Sequence, residues 1–196
     1  MAKHHLAVLL SGRGSNFEAI ADAVEGGRIP NAAIVAVISD VPAAPGLERA
    51  RQRGLPAFGV ERRAGESRRE HEDRILKILD SARPDVLCLA GYMRILSPGF
   101  VSRYPGRILN VHPSLLPSYP GLEPQRRALE AGETEAGCTV HIVDEGTDSG
   151  PIVLQRRVPI LPGDDPESLS ARILREEHRA YPEAIVRVLA ELDAKA

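Results

Sequence analysis

Asn110 and His112 stand two residues apart in Ile108-Leu-Asn-Val-His-Pro-Ser-Leu-Leu-Pro-Ser-Tyr-Pro-Gly-Leu122. If residues 108–112 are extended, both side chains leave the same face of the strand, because successive side chains alternate. An amide N–H can hold a developing oxyanion, and an imidazole moves protons near neutral pH. A neighbouring carboxylate would orient that imidazole and favour its charged form. The segment Asp144-Glu-Gly-Thr-Asp-Ser-Gly-Pro151 offers three acids for this task. Each residue alone also has a plainer role, since asparagines cap turns and histidines bond backbone. His141, inside an apolar run, reads as a packed strand residue. His178, beside Glu176 and Glu177, reads as either a surface or a substrate-facing group.

A second chemical feature is Ser11-Gly-Arg-Gly-Ser-Asn16, set between an apolar run and an amphipathic segment. Glycines in such a turn permit positive φ and close backbone approach, and the following helix start presents N–H groups and a positive dipole end to an anion. The same residues would also make an ordinary tight turn with a good cap. A dinucleotide fingerprint is the sharper rival: Gly12 and Gly14 match its first two glycines, and Asp40 could serve as the ribose acid. Phe17 stands at its third glycine, where helix and strand pack closest. A single phosphate fits better.

These groups need elements to hold them. Leu6–Leu10, Ile34–Ile38, Ala57–Val60, Val86–Ala90 and Ile108–Val111 are short apolar runs expected to be strands. Helices are expected from Phe17 to Val24, over Gly46–Gly54, from about Ser67 to Ala82 with a solvated first half, and at Glu123–Ala131. The alternation implies parallel strands in a layered α/β sandwich. Strands six (Thr139–Val143) and seven (Ile152–Val158) lie too close in sequence for a parallel crossover, so they should pair antiparallel. If strand six runs parallel to strand five, the acid-rich loop emerges at the same sheet edge as His112. A last helix, Pro166–Leu192, should bend near Tyr181-Pro182. The expected fold is a three-layer α/β sandwich, with a mostly parallel seven-stranded sheet and an antiparallel edge, as one domain over residues 1–196.

Bulk properties narrow the function. A net charge of −2 gives no drive towards nucleic acid, and three Phe, four Tyr and no Trp leave few stacking platforms. No apolar run is long enough for a membrane span or a signal segment, so a soluble cytoplasmic protein is expected. Cys88 and Cys138 lack metal-ligand spacing and read as buried free thiols.

Four segments in order resemble the folate-dependent formyltransferases, and within them those acting on glycinamide ribonucleotide. The segments are Ser11–Asn16, Ala90-Gly-Tyr-Met-Arg-Ile-Leu-Ser97, Asn110–Leu122 and Asp148-Ser-Gly-Pro-Ile-Val-Leu-Gln155, and Glu177 falls where the family places a substrate-contacting glutamate. The resemblance implies a Rossmann-like formyltransferase fold and the catalytic residues Asn110, His112 and Asp148. It implies phosphate contacts from Gly12, Arg13, Gly14, Ser15 and Asn16. It also implies folate contacts from Met93, Arg94, Ile95 and Leu96, closed over by Asp144, Glu145 and Thr147, and a cis peptide at Leu116-Pro117. The co-substrate would be 10-formyltetrahydrofolate, with no metal and no covalent intermediate. Partners would be small molecules only, with no nucleic acid and no membrane, for a monomer or homodimer. The sequence departs from the family at Glu123-Pro-Gln125, where relatives often carry histidines near the folate tail or a mobile loop. Two readings from other classes are a dinucleotide-dependent oxidoreductase, which has no use for Asn110, and a nucleotide-sensing module that consumes no formyl donor.

Overall fold

Among the described residues, 4–195 of the computed structural model, seven strands and six helices follow one another along the chain. The first half alternates them strictly: β1 (His4–Leu10), α1 (Ser15–Glu25), β2 (Ala32–Ser39), α2 (Pro45–Gln52), β3 (Ala57–Gly59), α3 (Arg68–Ala82) and β4 (Val86–Leu89). The second half continues with α4 (Pro98–Val101), β5 (Ile108–His112), α5 (Pro124–Glu130), β6 (Glu135–Ile142), β7 (Ile152–Pro159) and α6 (Pro166–Lys195). The strands form one sheet in the order β3-β2-β1-β4-β5-β6-β7. β1 to β5 run parallel to one another, and β6 pairs antiparallel with both β5 and β7. The expected mixed three-layer sandwich is the observed one.

Strand alternation decides the layers. One face of the sheet, including Val8, Val37, Leu109 and Cys138, packs against α1, α2 and α6. The other face, including Leu9, Ile38, Leu87 and Ile108, packs against α3 and α4. Because Ile108 faces α3 and α4, Asn110 and His112 leave the sheet on that side too.

Two details differ from the sequence reading. First, β6 runs opposite to β5, with Asn110 opposite His141 and His112 opposite Thr139. Hydrophobic content reveals a strand but not its direction, and the segment carrying α5 returns the chain without crossing the sheet. Second, the charged first half of α3 is not wholly solvated, since His71 and Glu72 are buried. Ser67 caps this helix in a reciprocal capping box with Glu70. α6 runs as one helix through Pro182. The proline removes one N–H from the ladder, but Tyr181 beside it is fully buried and its hydroxyl reaches the carbonyls of Leu89 (3.0 Å) and Leu109 (2.9 Å). No helix among the described residues is long and apolar enough to cross a membrane.

Candidate active site

β4 ends level with Asn110, because Leu89 pairs with Asn110, and β5 continues two residues further to His112. The carboxyl ends of β1, β4 and β5 therefore make a stepped floor, as at ligand sites of open α/β sheets. Asn110 and His112 rise from it on one face, and the antiparallel register brings His141 of β6 alongside. The Asn110 amide nitrogen lies 3.2 Å from His141 Nε2, and His141 Nδ1 lies 3.0 Å from the Ile142 carbonyl. A neutral imidazole that donates from Nδ1 to that carbonyl presents the lone pair of Nε2 to the Asn110 amide, whereas the charged ring carries a proton on both nitrogens and turns the Nε2–H towards Asp148.

Asp148 reaches this cluster by a route the sequence did not reveal. β6 descends to Val143, whose N–H bonds the Ile108 carbonyl, and the following loop turns back over the face carrying His112. Gly150 makes the return possible: a Cβ there would lie 1.9 Å from the Ile142 carbonyl oxygen. Asp148 itself sits at φ 53, a left-handed conformation that aspartate tolerates better than most residues. Its Oδ2 lies 3.3 Å from His112 Nδ1 and accepts the Gly121 N–H at 2.9 Å, while Oδ1 lies 3.6 Å from His141 Nε2. Burial alone would push this carboxyl upward. The hydrogen bonds from His141 and Gly121 and the charges of both imidazoles outweigh it, so Asp148 is held below the usual aspartate range.

His112 Nε2 is 3.0 Å from the Tyr119 carbonyl. Both ring nitrogens thus face oxygen acceptors; a neutral ring donates to one of them and an imidazolium to both. The loop that supplies Tyr119 is tied to β6 and β7. Thr139 Oγ1 donates to the Ser114 carbonyl (2.7 Å) and accepts the Leu116 N–H (3.0 Å), and Gln155 bonds the Leu116 carbonyl (2.8 Å). The Leu116-Pro117 peptide is cis.

The glycine loop lies at the end of β1. Gly14 caps α1 at φ 78, and its neighbour is Gly46, in the first turn of α2. A Cβ on Gly14 would lie 2.6 Å from the Gly46 Cα, and the Gly46 N–H bonds the Gly12 carbonyl at 3.1 Å. The space beside Gly12 is open. N–H groups of the first turn of α1 face outward without intrahelical acceptors, which suits an anion. Asn16 behaves differently from the rest of this loop. It is buried, and its Nδ2 donates to Glu177 Oε2 at 2.7 Å across 161 positions of sequence. Burial raises the Glu177 carboxyl, against the hydrogen bond from Asn16. The neighbouring His178 is pushed down by burial, against the charge of Glu18, so it stays neutral at pH 7.

The dinucleotide reading loses its ribose acid here. Both oxygens of Asp40 are engaged, Oδ1 by the Ser11 hydroxyl at 2.5 Å and Oδ2 by Arg94 Nε at 2.6 Å. Phe17 is fully buried where that fingerprint needs a glycine.

Met93, Arg94, Ile95 and Leu96 line a cavity of about 440 Å³ together with Arg62, Arg68, His71, Glu72 and Tyr92. Met93 and Ile95 are exposed to 77% and 65%, unusually far for apolar side chains, whereas Leu96 is buried. The segment is fixed from below: Glu72 accepts the Ser97 N–H at 2.8 Å and the Ser97 hydroxyl, and Arg68 Nε bonds the Ile95 carbonyl at 3.0 Å. Asp144, Glu145 and Thr147 do not line this cavity. Asp144 instead closes its own loop, accepting from the Gly146 N–H and the Ser149 hydroxyl. A second cavity of about 370 Å³ lies behind residues 113–119, bordered by Gln125, Gln155 and Arg157, and none of Asn110, His112 and Asp148 lines it. Cys88 and Cys138 are buried with thiols pushed upward by burial, Cys138 to about 12, which leaves no thiolate nucleophile.

His141 is the residue that sequence reasoning missed in this cluster. Its signal was its alternation with Thr139 on the strand that precedes the acid-rich loop, but only the antiparallel register makes it a neighbour of Asn110.

Residues 4–185 match the formyl transferase family. The chain is 47% identical over 178 residues to phosphoribosylglycinamide formyltransferase of Escherichia coli strain K12, covering 91% of this chain and 84% of that protein. It is 48% identical over 188 residues to the trifunctional purine biosynthetic protein adenosine-3 of Drosophila melanogaster, covering 95% of this chain but only 14% of that longer protein. Among solved structures, that of phosphoribosylglycinamide formyltransferase from Brucella melitensis superposes with a TM-score of 0.89 at 49% identity, covering 94% of both chains. On sequence match, identity and fold together, the chain belongs to the formyl transferase family.

Proposed function

We propose that the protein transfers the formyl group of 10-formyltetrahydrofolate to the amine of glycinamide ribonucleotide, giving formylglycinamide ribonucleotide and tetrahydrofolate for purine synthesis. The observation that carries this is the Asn110–His112–Asp148 cluster at the carboxyl end of β5, next to β4, whose end leads into the Met93–Leu96 segment, with the phosphate loop one strand further along on β1. The family match supplies the substrate class.

The substrate phosphate binds the N–H groups of Gly12 to Ser15, with Arg13 exposed beside them, and Glu177 holds the ribonucleotide from α6. The folate head lies along the backbone of Arg94 and Leu96, between Met93 and Ile95, with residues 144–148 on its other side. Binding energy from these distant contacts aligns the amine with the formyl carbon. As the amine nitrogen attacks, the carbonyl π electrons move onto oxygen, and Asn110 Nδ2 donates to that oxyanion while His141 holds the amide in place. His112, oriented by Asp148, relays the proton released by the attacking amine. The bond from the formyl carbon to N10 then breaks, and N10 takes up a proton. A substrate atom using His112 Nε2 must displace the Tyr119 carbonyl.

The test is a mixture of protein, 10-formyltetrahydrofolate and glycinamide ribonucleotide, with each component omitted in turn while tetrahydrofolate is followed. Product only in the complete mixture is expected. Product without the ribonucleotide would make the protein a hydrolase, and no product in any mixture would end the proposal.

A further inference from the structure

Asp40 is a buried carboxylate, 6% exposed, for which the mechanism above has no use. It follows β2 directly and stands between the two substrate segments. Its Oδ1 accepts from the Ser11 hydroxyl, the first residue of the phosphate loop, and its Oδ2 accepts from Arg94 Nε, in the middle of the folate segment. Ser11 closes the circuit. Its hydroxyl oxygen accepts the Met93 N–H at 2.9 Å, and its own N–H donates to the Gly91 carbonyl at 3.0 Å. Residues 91–94 therefore have no anchor to the phosphate loop that bypasses Ser11 or Asp40 among the bonds described.

We infer that Asp40 is a positioning residue shared by both substrate sites: through Ser11 and Arg94 it fixes the phosphate loop against the folate segment, so each site's affinity depends on occupancy of the other. The inference takes its ligands from the proposed function. A charge removed from water has to keep both of its donors, so Ser11 and Arg94 hold their places together or leave them together. A ligand that seats the phosphate loop immobilises Ser11, which holds the Met93 N–H and the carboxylate that pins Arg94. The second ligand then finds residues 93–96 already ordered. Linkage requires the reverse effect to have the same size.

Glycinamide ribonucleotide and tetrahydrofolate form an unreactive pair, because neither carries the formyl group, so both affinities can be measured at equilibrium. Calorimetric titration of each ligand, with and without the other at saturation, should give a tightening of about 5- to 30-fold in the natural protein, equal in both directions. In Asp40→Ala the factor should fall to near one, with a higher KM for both substrates and kcat within about threefold of the natural value once both saturate. Asp40→Asn keeps an acceptor for Ser11 but turns an amide N–H donor towards Arg94; it should fold normally and show a reduced factor, which covers the case in which the alanine variant does not fold. A merely structural role would lower Tm and leave the factor unchanged in the asparagine variant, which would overturn the inference. So would a factor of one in a natural protein that turns over both substrates. A natural protein that binds neither ligand would instead refute the proposed function, and this inference with it.

Discussion

Replacing Asp148 by asparagine changes one atom in the cluster and almost nothing around it. Volume is conserved, and asparagine accepts the left-handed φ of 53 as readily as aspartate does. The side-chain oxygen must keep the Oδ2 seat, because the Gly121 N–H points at it from 2.9 Å and His112 Nδ1 from 3.3 Å. The amide nitrogen then takes the Oδ1 seat and turns its hydrogens towards His141 Nε2, 3.6 Å away. In the neutral ring that nitrogen accepts from Asn110 at 3.2 Å. Two donors would compete for one lone pair, Asn110 would lose its fixed orientation, and His112 would lose its counter-charge. The corresponding change in a serine protease triad costs about 10⁴ in kcat, largely by imposing the wrong tautomer. Here His112 keeps an oxygen partner, so a loss of about 10²–10³ in kcat is expected, roughly 3–4 kcal/mol of transition-state stabilisation. KM for the ribonucleotide should hardly move, since the phosphate loop is not touched. Burial opposes the gain from the partners of Asp148, so the fold should lose little, with a fall in Tm of a few degrees at about 2–4 °C per kcal/mol for a chain of this size. The assay is steady-state formation of tetrahydrofolate at saturating substrates, alongside thermal denaturation. Turnover within about threefold of the natural protein, in a variant of unchanged Tm, would refute the reasoning.

Other outcomes follow from the same geometry. Asn110→Ala removes the proposed oxyanion donor and should lower kcat by about 10²–10³ at nearly constant KM, measured in the same assay. Gly14→Ala places a Cβ 2.6 Å from the Gly46 Cα at a φ of 78, so it should cost more than about 1 kcal/mol in denaturant unfolding and weaken ribonucleotide binding. Asp164 is held well below the carboxylate range by Arg172, then by the Leu161 N–H. A depressed folded value means this stabilisation is present above the ordinary aspartate value and disappears as pH falls through the folded one. Asp164→Asn should therefore lower Tm at pH 7, with the gap closing in strong acid; a gap independent of pH would refute the assignment. By the same sign, Asp148 stays ionised from neutral pH down to below the ordinary aspartate value, so a pH–rate profile of Asp164→Asn between pH 7 and 5.5 should have the same shape as that of the natural protein.

The strands were legible because buried parallel strands are continuous apolar runs, and Asn110 and His112 were legible as a pair because strand periodicity puts i and i+2 on one face. Helix starts were legible where chemistry marks them, as at Ser67 and Pro166. The direction of β6 was not, since apolar content is the same read either way, and its first residues, Glu135-Ala-Gly, do not look like a strand. With the direction hidden, so was His141 as a neighbour of Asn110. α4 is four residues long and too short for any periodicity. Asn16 was legible as a helix-start residue but not as the partner of Glu177, and Asp40 was legible as an acid after a strand but not as the seat of Ser11 and Arg94. In each case the missing fact was a contact between residues distant in sequence, which local propensity does not encode.

The phenol of Tyr181, bonded to the carbonyls of Leu89 and Leu109, has a consequence for how this chain can vary in length. Glu177 stands four residues earlier on the same helix, about one turn away, so this hydroxyl ties the turn that carries it to strands β4 and β5. One residue inserted or deleted between them would rotate Glu177 by roughly 100° about the helix axis and withdraw it from Asn16. Insertions and deletions within residues 177–181 are therefore expected to abolish the Asn16–Glu177 contact.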